Sequence, residues 1–140
     1  MCLLALVACD TPLSINQQII AEIRNMEAHV EAGERRAFMN GLHADFNGQN
    51  GEFNHDRMNS LLLFFLKRYQ QLNVQILPVQ VTADGTEVAD AHFQVLVTAG
   101  NGLLPENGQL FTVNSKWILV DGEWLVIEAQ WEPVRIDPLP

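Results

Sequence analysis

The chain has 140 residues, 48% of them hydrophobic, which is the length and composition of a single globular domain. Eight Lys and Arg residues stand against 17 Asp and Glu residues, giving a formal net charge of −9. Such an acidic chain repels phosphate backbones and anionic lipid, which argues against nucleic-acid binding and against direct adsorption on a membrane. Both cysteines, Cys2 and Cys9, lie at the N-terminus, so we expect no disulfide and no thiolate metal site in the folded body.

The first ten residues have the pattern of an export signal that ends in a lipid-modified cysteine. Leu6-Val7-Ala8-Cys9 resembles a bacterial lipobox, although no Lys or Arg precedes the apolar run. A short buried strand or helical turn is the alternative. We expect residues 1–10 to be the remnant of a lipoprotein signal and residues 11–140 to form the domain. Cys9 would then carry acyl chains on the periplasmic side of a bacterial cell envelope, and Asp10 resembles an inner-membrane retention signal.

Helical spacing of apolar residues predicts a long first helix and a long third helix. Ser14 can cap the first helix and Gly33 can end it. The third helix is predicted from about His55 to Leu72 and is apolar on nearly all sides, which is typical of a helix buried on more than one face.

A short second helix is predicted between these two. Phe38, Leu42 and Phe46 would share one of its faces, and Gly48 would close it. On this interpretation Asp45 lies near its end, beside His43.

From Val74 onward the apolar residues alternate, which predicts strands. Asp121-Gly122 is a two-residue turn signal, and the register that it sets opposes Ser115 to Glu128. The face richer in large apolar groups is assigned to the interior. Its members are Phe111, Val113, Ser115, Trp117, Leu119, Trp124, Val126, Glu128 and Gln130.

An earlier hairpin is predicted around Asp84-Gly85. A two-residue loop would place Asp90 among valines, and burying an unpaired carboxylate costs several kcal/mol. We therefore expect a three-residue loop, Asp84-Gly85-Thr86, with Asp90, His92 and Gln94 facing outward. Its inward face would then be apolar throughout, with Leu77, Val79, Val81, Ala89, Ala91, Phe93, Val95 and Val97.

Three helices followed by long strands and a Trp-rich terminal hairpin resemble the nuclear transport factor 2-like superfamily. The resemblance covers roughly residues 14–134 and implies an α+β cone, with three N-terminal helices on a strongly curved antiparallel sheet of about four main strands. The superfamily includes isomerases, dehydratases and cyclases beside many non-catalytic binders, so it selects no activity. The matching motifs are Leu42-His-Ala-Asp45-Phe46, Asp121-Gly-Glu-Trp124, Glu128-Ala-Gln-Trp131 and, as in a subgroup of uncharacterised bacterial lipoproteins, Leu104-Pro-Glu-Asn-Gly108-Gln109.

Ser115, Glu128 and Gln130 are the polar residues predicted to point into the cone. A carboxylate in an apolar cone is a stronger base than one in water, so Glu128 could act as a general base, with the other two orienting a substrate. We favour the alternative, a hydrogen-bonded Glu128 near the open end, because one carboxylate without a partner is a weak catalytic signal.

Three further residues are candidates for ligand contact. The resemblance places Asp45 near the mouth of the cone, although a solvated or capping role is commoner there. Tyr69 and Trp117 could stack on a ligand, with core packing as the alternative that we favour. The four histidines are scattered and no cofactor motif occurs, so we expect no metal site and no cofactor.

An apolar stripe is predicted on the outer face of the sheet, formed by Ile118, Leu125, Ile127 and Trp131. Contiguous apolar patches usually mark interfaces, and members of the resembled superfamily often dimerise through this face, so we expect a homodimer. The alternative is that the tail, residues 133–140, covers the stripe.

Three functions stay open from the sequence. We favour a non-catalytic, lipid-anchored envelope protein whose cone binds a small apolar ligand or supports a partner protein. The second is an isomerase, dehydratase or cyclase with Glu128 as its base. The third is a structural dimer with a filled cone.

Overall fold

The computed structural model describes residues 12–69, 71–99 and 108–134. The lipobox, Cys9 and Asp10 lie outside the described residues, as do most of the Leu104–Gln109 motif and the end of the tail. Within the described part, three helices pack on a curved sheet. They are α1 (Ile15–Glu31), α2 (Arg35–Met39) and α3 (His55–Arg68), with strands β1 (Leu42–Gly48), β2 (Leu72–Ile76), β3 (Gln80–Asp84), β4 (Val88–Ala99), β5 (Gln109–Val120) and β6 (Glu123–Pro133).

The sheet has the order β1-β6-β5-β4-β2, and β3 also pairs with β4. All pairs are antiparallel except β1 with β6, which are parallel. The predicted α+β class is therefore confirmed. The predicted sheet of about four antiparallel strands is corrected to six strands with one parallel pair.

The long helix α1 begins where the sequence predicts. The backbone N–H of Gln17 donates to Ser14 Oγ at 3.2 Å, and Ser14 N–H donates to Gln17 Oε1 at 3.0 Å, a reciprocal capping box. Ile19 and Ile23, one turn apart, are buried against the sheet. Gly33 follows the helix with a φ of +72°, a conformation that glycine adopts without steric cost.

The predicted second helix is wrong beyond Met39. The chain turns at Asn40 and Gly41 and continues as β1, where Val126 N–H donates to Gly41 C=O at 2.9 Å. Leu42 and Phe46 are four residues apart, a spacing that lies on one face of a helix and also on one face of a strand. Pairing with β6 decides between the two, and it places Asp45 at an exposed position of a strand rather than at a helix end.

The third helix is four residues shorter than predicted, because it ends at Arg68 and Leu72 already belongs to β2. Asn54 caps it by accepting the N–H of Arg57 at 2.9 Å. Leu62 is buried, but the predicted burial on more than one face is wrong: Phe64 on the outward side is 57% exposed.

The β3–β4 hairpin has the predicted faces with a shifted register. Val81 lies opposite Ala91 and Asp84 opposite Val88, so the loop is residues 85–87 rather than 84–86. The register differs from the prediction by two residues, an even number, so inward residues remain inward. Asp90 and His92 lie on the outer face, as predicted.

The β5–β6 hairpin departs from strict alternation at a β-bulge. Trp117 lies opposite Val126, as predicted, but Lys116 then lies opposite Glu128 and Ser115 opposite Ala129. Ile127 is the extra residue of β6. Because one inserted residue reverses every later side chain, Glu128 and Gln130 lie outside, whereas Ala129 and Trp131 lie inside.

Candidate functional site

A cavity of about 440 Å³ lies between the helices and the inner face of the sheet. Its walls come from all three helices and from strands β1, β2, β4, β5 and β6, and they are formed almost entirely by apolar side chains. The volume and the lining are those of a small-molecule site, which is typically concave and apolar with few polar groups.

The cavity is closed at one end of the sheet and open at the other. Along the inner face of β4, Ala89 and Ala91 are 0% and 2% exposed, whereas Val95 and Val97 further along are only half-buried. We call the region around Ala89 the closed end and the region around Val97 the open end. Along β4, the inward residues that the structure describes are therefore less completely covered at the open end than at the closed end.

The closed end carries a buried chain of hydrogen bonds. The indole N–H of Trp117, which is 2% exposed, donates to Ser115 Oγ at 2.9 Å. The Ser115 hydroxyl in turn donates to the Ala91 carbonyl at 3.0 Å. Each hydroxyl and indole group is thereby satisfied, as buried polar groups require. Ser115 therefore holds the wall of the cavity in place.

The open end carries the other polar groups that line the cavity. Tyr69 follows the last turn of α3, and its ring stacks on Phe65 with the ring centroids 6.1 Å apart. Gln109 begins β5 opposite Val97. Glu27 of α1 also lines the cavity, and its Oε2 lies 3.9 Å from Arg24 Nη1. An apolar ligand with one polar end could thus place that end at the mouth.

The structure places the six predicted site residues in three different environments. Ser115, Trp117 and Tyr69 line the cavity, the first two as buried, hydrogen-bonded wall residues. Asp45 is exposed on β1, where its N–H donates to His43 Nδ1 at 2.9 Å, and it is not part of the cavity wall.

Glu128 and Gln130 lie on the outer face of the sheet. The Glu128 side chain is 57% exposed, with a carboxylate oxygen 4.0 Å from Lys116 Nζ. Gln130 Nε2 donates to Asn50 Oδ1 at 2.7 Å. Both line an open, polar depression with Asp90 and His92. The prediction that Glu128 is a carboxylate inside an apolar cone is therefore wrong.

The predicted outer stripe loses one member to the bulge. Trp131 lies on the inner side, where it lines the cavity and packs against Phe53, with 5.6 Å between the two ring centroids. Ile118 and Leu125 lie opposite each other on the outer face, and Ile127 is the bulged residue beside them. The remaining stripe is shorter, and the centre of the outer face is polar.

Sequence reasoning missed Phe65, Gln109 and Glu27 as cavity residues. Phe65 belongs to the helical stripe that the sequence shows, but the pattern gave no sign that its neighbours leave the ring 39% exposed. Gln109 and Glu27 are polar residues with apolar neighbours in the sequence. Ordinary surface residues have the same pattern, so the sequence did not mark these two as cavity residues.

The described ranges contain no group of three or more His, Cys, Asp or Glu side chains that could hold a metal ion. No helix within the same ranges is both long enough and apolar enough to span a membrane.

Comparison with known proteins identifies the fold. No model of a known protein family matches the chain, and no curated protein matches it. Solved structures do match. A nuclear transport factor 2-like protein of unknown function from Pseudomonas putida has a TM-score of 0.73 at 16% identity, over 90% of this chain and 93% of that one.

Two further solved structures are an enzyme and a longer protein. The hexachlorocyclohexane dehydrochlorinase LinA-type3 from Novosphingobium barchaimii has a TM-score of 0.69 at 12% identity, over 89% of each chain. Bd1075 from Bdellovibrio bacteriovorus has a TM-score of 0.73 at 9% identity, over 85% of this chain and 40% of that protein. At these identities the likeness shows the fold alone, which is nuclear transport factor 2-like.

Proposed function

We propose that this chain is a non-catalytic binding domain whose cone holds a small apolar molecule with one polar end. The observation that carries the proposal is the cavity itself, about 440 Å³ with walls that are almost entirely apolar among the described residues. Burial of apolar ligand surface supplies roughly 25 cal/mol per Å², and the polar groups of Tyr69 and Gln109 at the mouth would fix the ligand's direction.

The inner surface offers little for acid–base catalysis. Among the described residues that line the cavity, Glu27 is the only carboxylate, and no histidine lines it. The buried hydroxyl of Ser115 is already engaged with Trp117 and Ala91. Since general acid–base catalysis needs a positioned proton donor or acceptor beside the substrate, these contacts favour binding over turnover.

Anchoring and assembly complete the proposal. The lipobox-like Leu6–Cys9 supports a lipid anchor on Cys9 and a place on the periplasmic side of a bacterial envelope. The half-buried side chains of Ile118, Leu125 and Ile127 support a homodimer through the outer face near the β5–β6 turn. That contact would leave the open end of the cone accessible.

The experiment is a titration with N-phenylnaphthylamine, a neutral apolar probe that fluoresces when it leaves water. The test variant is Val95→Phe, which adds a ring on the inner face of β4, inside the cavity. The matched control is Leu96→Phe, one residue along the same strand on the outer face. We expect the wild-type chain and the control to bind the probe, and Val95→Phe to bind at least roughly tenfold more weakly because the added ring occupies the site.

The same titration can refute the proposal. If the probe binds all three proteins equally, it does not bind in the cavity. If the folded wild-type chain does not bind it at all, the cone does not serve as an apolar site. Thermal unfolding of each variant shows that the loss of binding is not a loss of fold.

A further inference from the structure

We propose that one surface of α3 docks on an anionic lipid bilayer, so that the open end of the cone faces the membrane. The surface, which we call the α3 patch, consists of Leu63, Phe64, Lys67 and Arg68. The inference deepens the proposed function, and its account of the ligand rests on it: a cavity that opens at a bilayer is placed to take an acyl chain.

Exposed apolar side chains on α3 are the first observation. Leu63 is 36% exposed and Phe64 is 57% exposed, and they are adjacent in sequence. Phe64 also packs edge-on against Phe65, with 5.7 Å between the ring centroids, and Phe65 lines the cavity. The exposed aromatic surface is therefore continuous with the wall of the cavity.

The charge of α3 is the second observation. Lys67 and Arg68 follow Phe64 by three and four residues, so all three share one side of the helix. The helix carries Arg57, Lys67 and Arg68 against Asp56, a net charge of +2, in a chain whose net charge is −9. Three of the eight cations of the chain thus lie on this one helix, which opposes the repulsion that the whole chain would feel from anionic lipid.

The third observation is the place of the patch beside the mouth. Arg68 ends α3, and its guanidinium lies 5.8 Å from the centroid of the Tyr69 ring at the open end. β2 begins four residues later, at Leu72 opposite Ala99. A surface that met the patch would therefore also meet the mouth of the cavity.

A bilayer explains this combination better than a protein partner does. Aromatic residues interleaved with Lys and Arg at the end of a helix are typical of segments that lie in the membrane interface. On the α1 side of the mouth, Glu27 and Glu31 are acidic, and Glu31 accepts the N–H of Val74 at 2.9 Å. We therefore expect the bilayer to contact the α3 side of the mouth and not the acidic α1 side.

The test is co-sedimentation of the full-length Cys9→Ser chain, which has no site for the lipid anchor, with vesicles. Vesicles of phosphatidylethanolamine and phosphatidylglycerol are compared with vesicles of phosphatidylcholine alone. We expect partition onto the anionic vesicles only, and less of it at high salt, since salt screens the charges of Lys67 and Arg68. In this background Phe64→Ser should weaken partition roughly tenfold and Lys67→Ala roughly fivefold.

Each variant has a matched control elsewhere on the molecule. Leu13→Ser removes an apolar side chain that is 55% exposed at the closed end, and Lys116→Ala removes a lysine from the outer face of the sheet. Both controls should partition like the parent chain. All four positions are exposed, so the thermal unfolding midpoints should stay close to that of the parent.

Several outcomes would overturn the inference. The inference fails if the parent chain does not bind anionic vesicles, or if the control substitutions weaken partition as much as the patch substitutions do. If the parent chain self-associates but does not bind vesicles, and Phe64→Ser abolishes the self-association, the α3 patch is a contact with a second copy of the chain. Probe binding without vesicle binding would refute the docking alone, whereas vesicle binding without probe binding would refute the proposed ligand site and leave the docking standing.

Discussion

The two ends of the cone are built from the same strands but differ in how completely their side chains are buried. At the closed end, Ile19 and Ala89 have no exposed surface, and the Trp124 indole N–H donates to Gln18 Oε1 at 2.8 Å. At the open end, Val95 and Val97 face inward yet remain half-buried. The closed end therefore carries much of the stability, and the open end is free to carry the function.

This division has a general physical basis. A well-packed core loses several kcal/mol when a large side chain is truncated, because the remaining atoms cannot fill the space. The side chains that line an apolar cavity lack this close packing on one side. Truncating one of them therefore lowers the free energy of unfolding less. The difference predicts that mutations at the closed end lower the free energy of unfolding, whereas mutations at the open end change ligand affinity.

The largest expected effect is on stability at the closed end. Trp117→Ala removes the largest fully buried side chain, so the free energy of unfolding should fall by about 3–5 kcal/mol. Phe111→Ala, on the same strand and the same face near the open end, should cost less than half as much because Phe111 is only half-buried. Urea unfolding of both variants measures the difference, and equal losses would contradict the division between the ends.

The next effect concerns the hydrogen bonds at the closed end. Ser115→Ala leaves the Trp117 indole N–H buried without an acceptor, which should cost about 1–3 kcal/mol of unfolding free energy. In a Trp117→Phe background the donor is already gone, so the same change should cost less. A double-mutant cycle in urea measures this coupling, and strictly additive losses would show that the bond contributes nothing.

The smallest effect is expected on the outer face. Glu128→Gln removes a surface ion pair with a 4.0 Å separation between exposed side chains, so stability should change by no more than about 0.5 kcal/mol. Probe binding should not change, since Glu128 lies outside the cone. A loss of probe binding in a folded Glu128→Gln protein would contradict the placement of this carboxylate and reopen its catalytic role.

The sequence predicted the faces of the β3–β4 hairpin better than those of the β5–β6 hairpin, and the reason is physical. At the β3–β4 hairpin, the cost of burying Asp90 among valines selected the correct faces. At the β5–β6 hairpin, strict alternation was extended past Val126, which placed Glu128 and Gln130 inside. The inward residues are at even positions up to Val126 and at odd positions from Ala129 onward, and the bulge at Ile127 causes that change. Leu125 and Ile127 are apolar as well, so the sequence pattern alone does not reveal the bulge.

The strand β1 and the cavity were less accessible to sequence reasoning. Leu42 and Phe46 fit both helical and strand spacing, and only the edge of β6 decides between them. The cavity is a property of how α3 sits over the sheet, which no local pattern encodes. Exposure of Phe64 likewise depends on which neighbours the fold supplies, although its apolar character and the adjacent Lys67 and Arg68 were visible in the sequence.

The most direct test of an open, ligand-holding cone is native mass spectrometry of the full-length Cys9→Ser chain incubated with palmitate, an apolar chain with one polar end. We predict one palmitate adduct for each copy of the parent chain and of its Leu96→Phe variant, and little or none on Val95→Phe. A folded parent chain without an adduct, or an adduct that Val95→Phe retains in full, would contradict it.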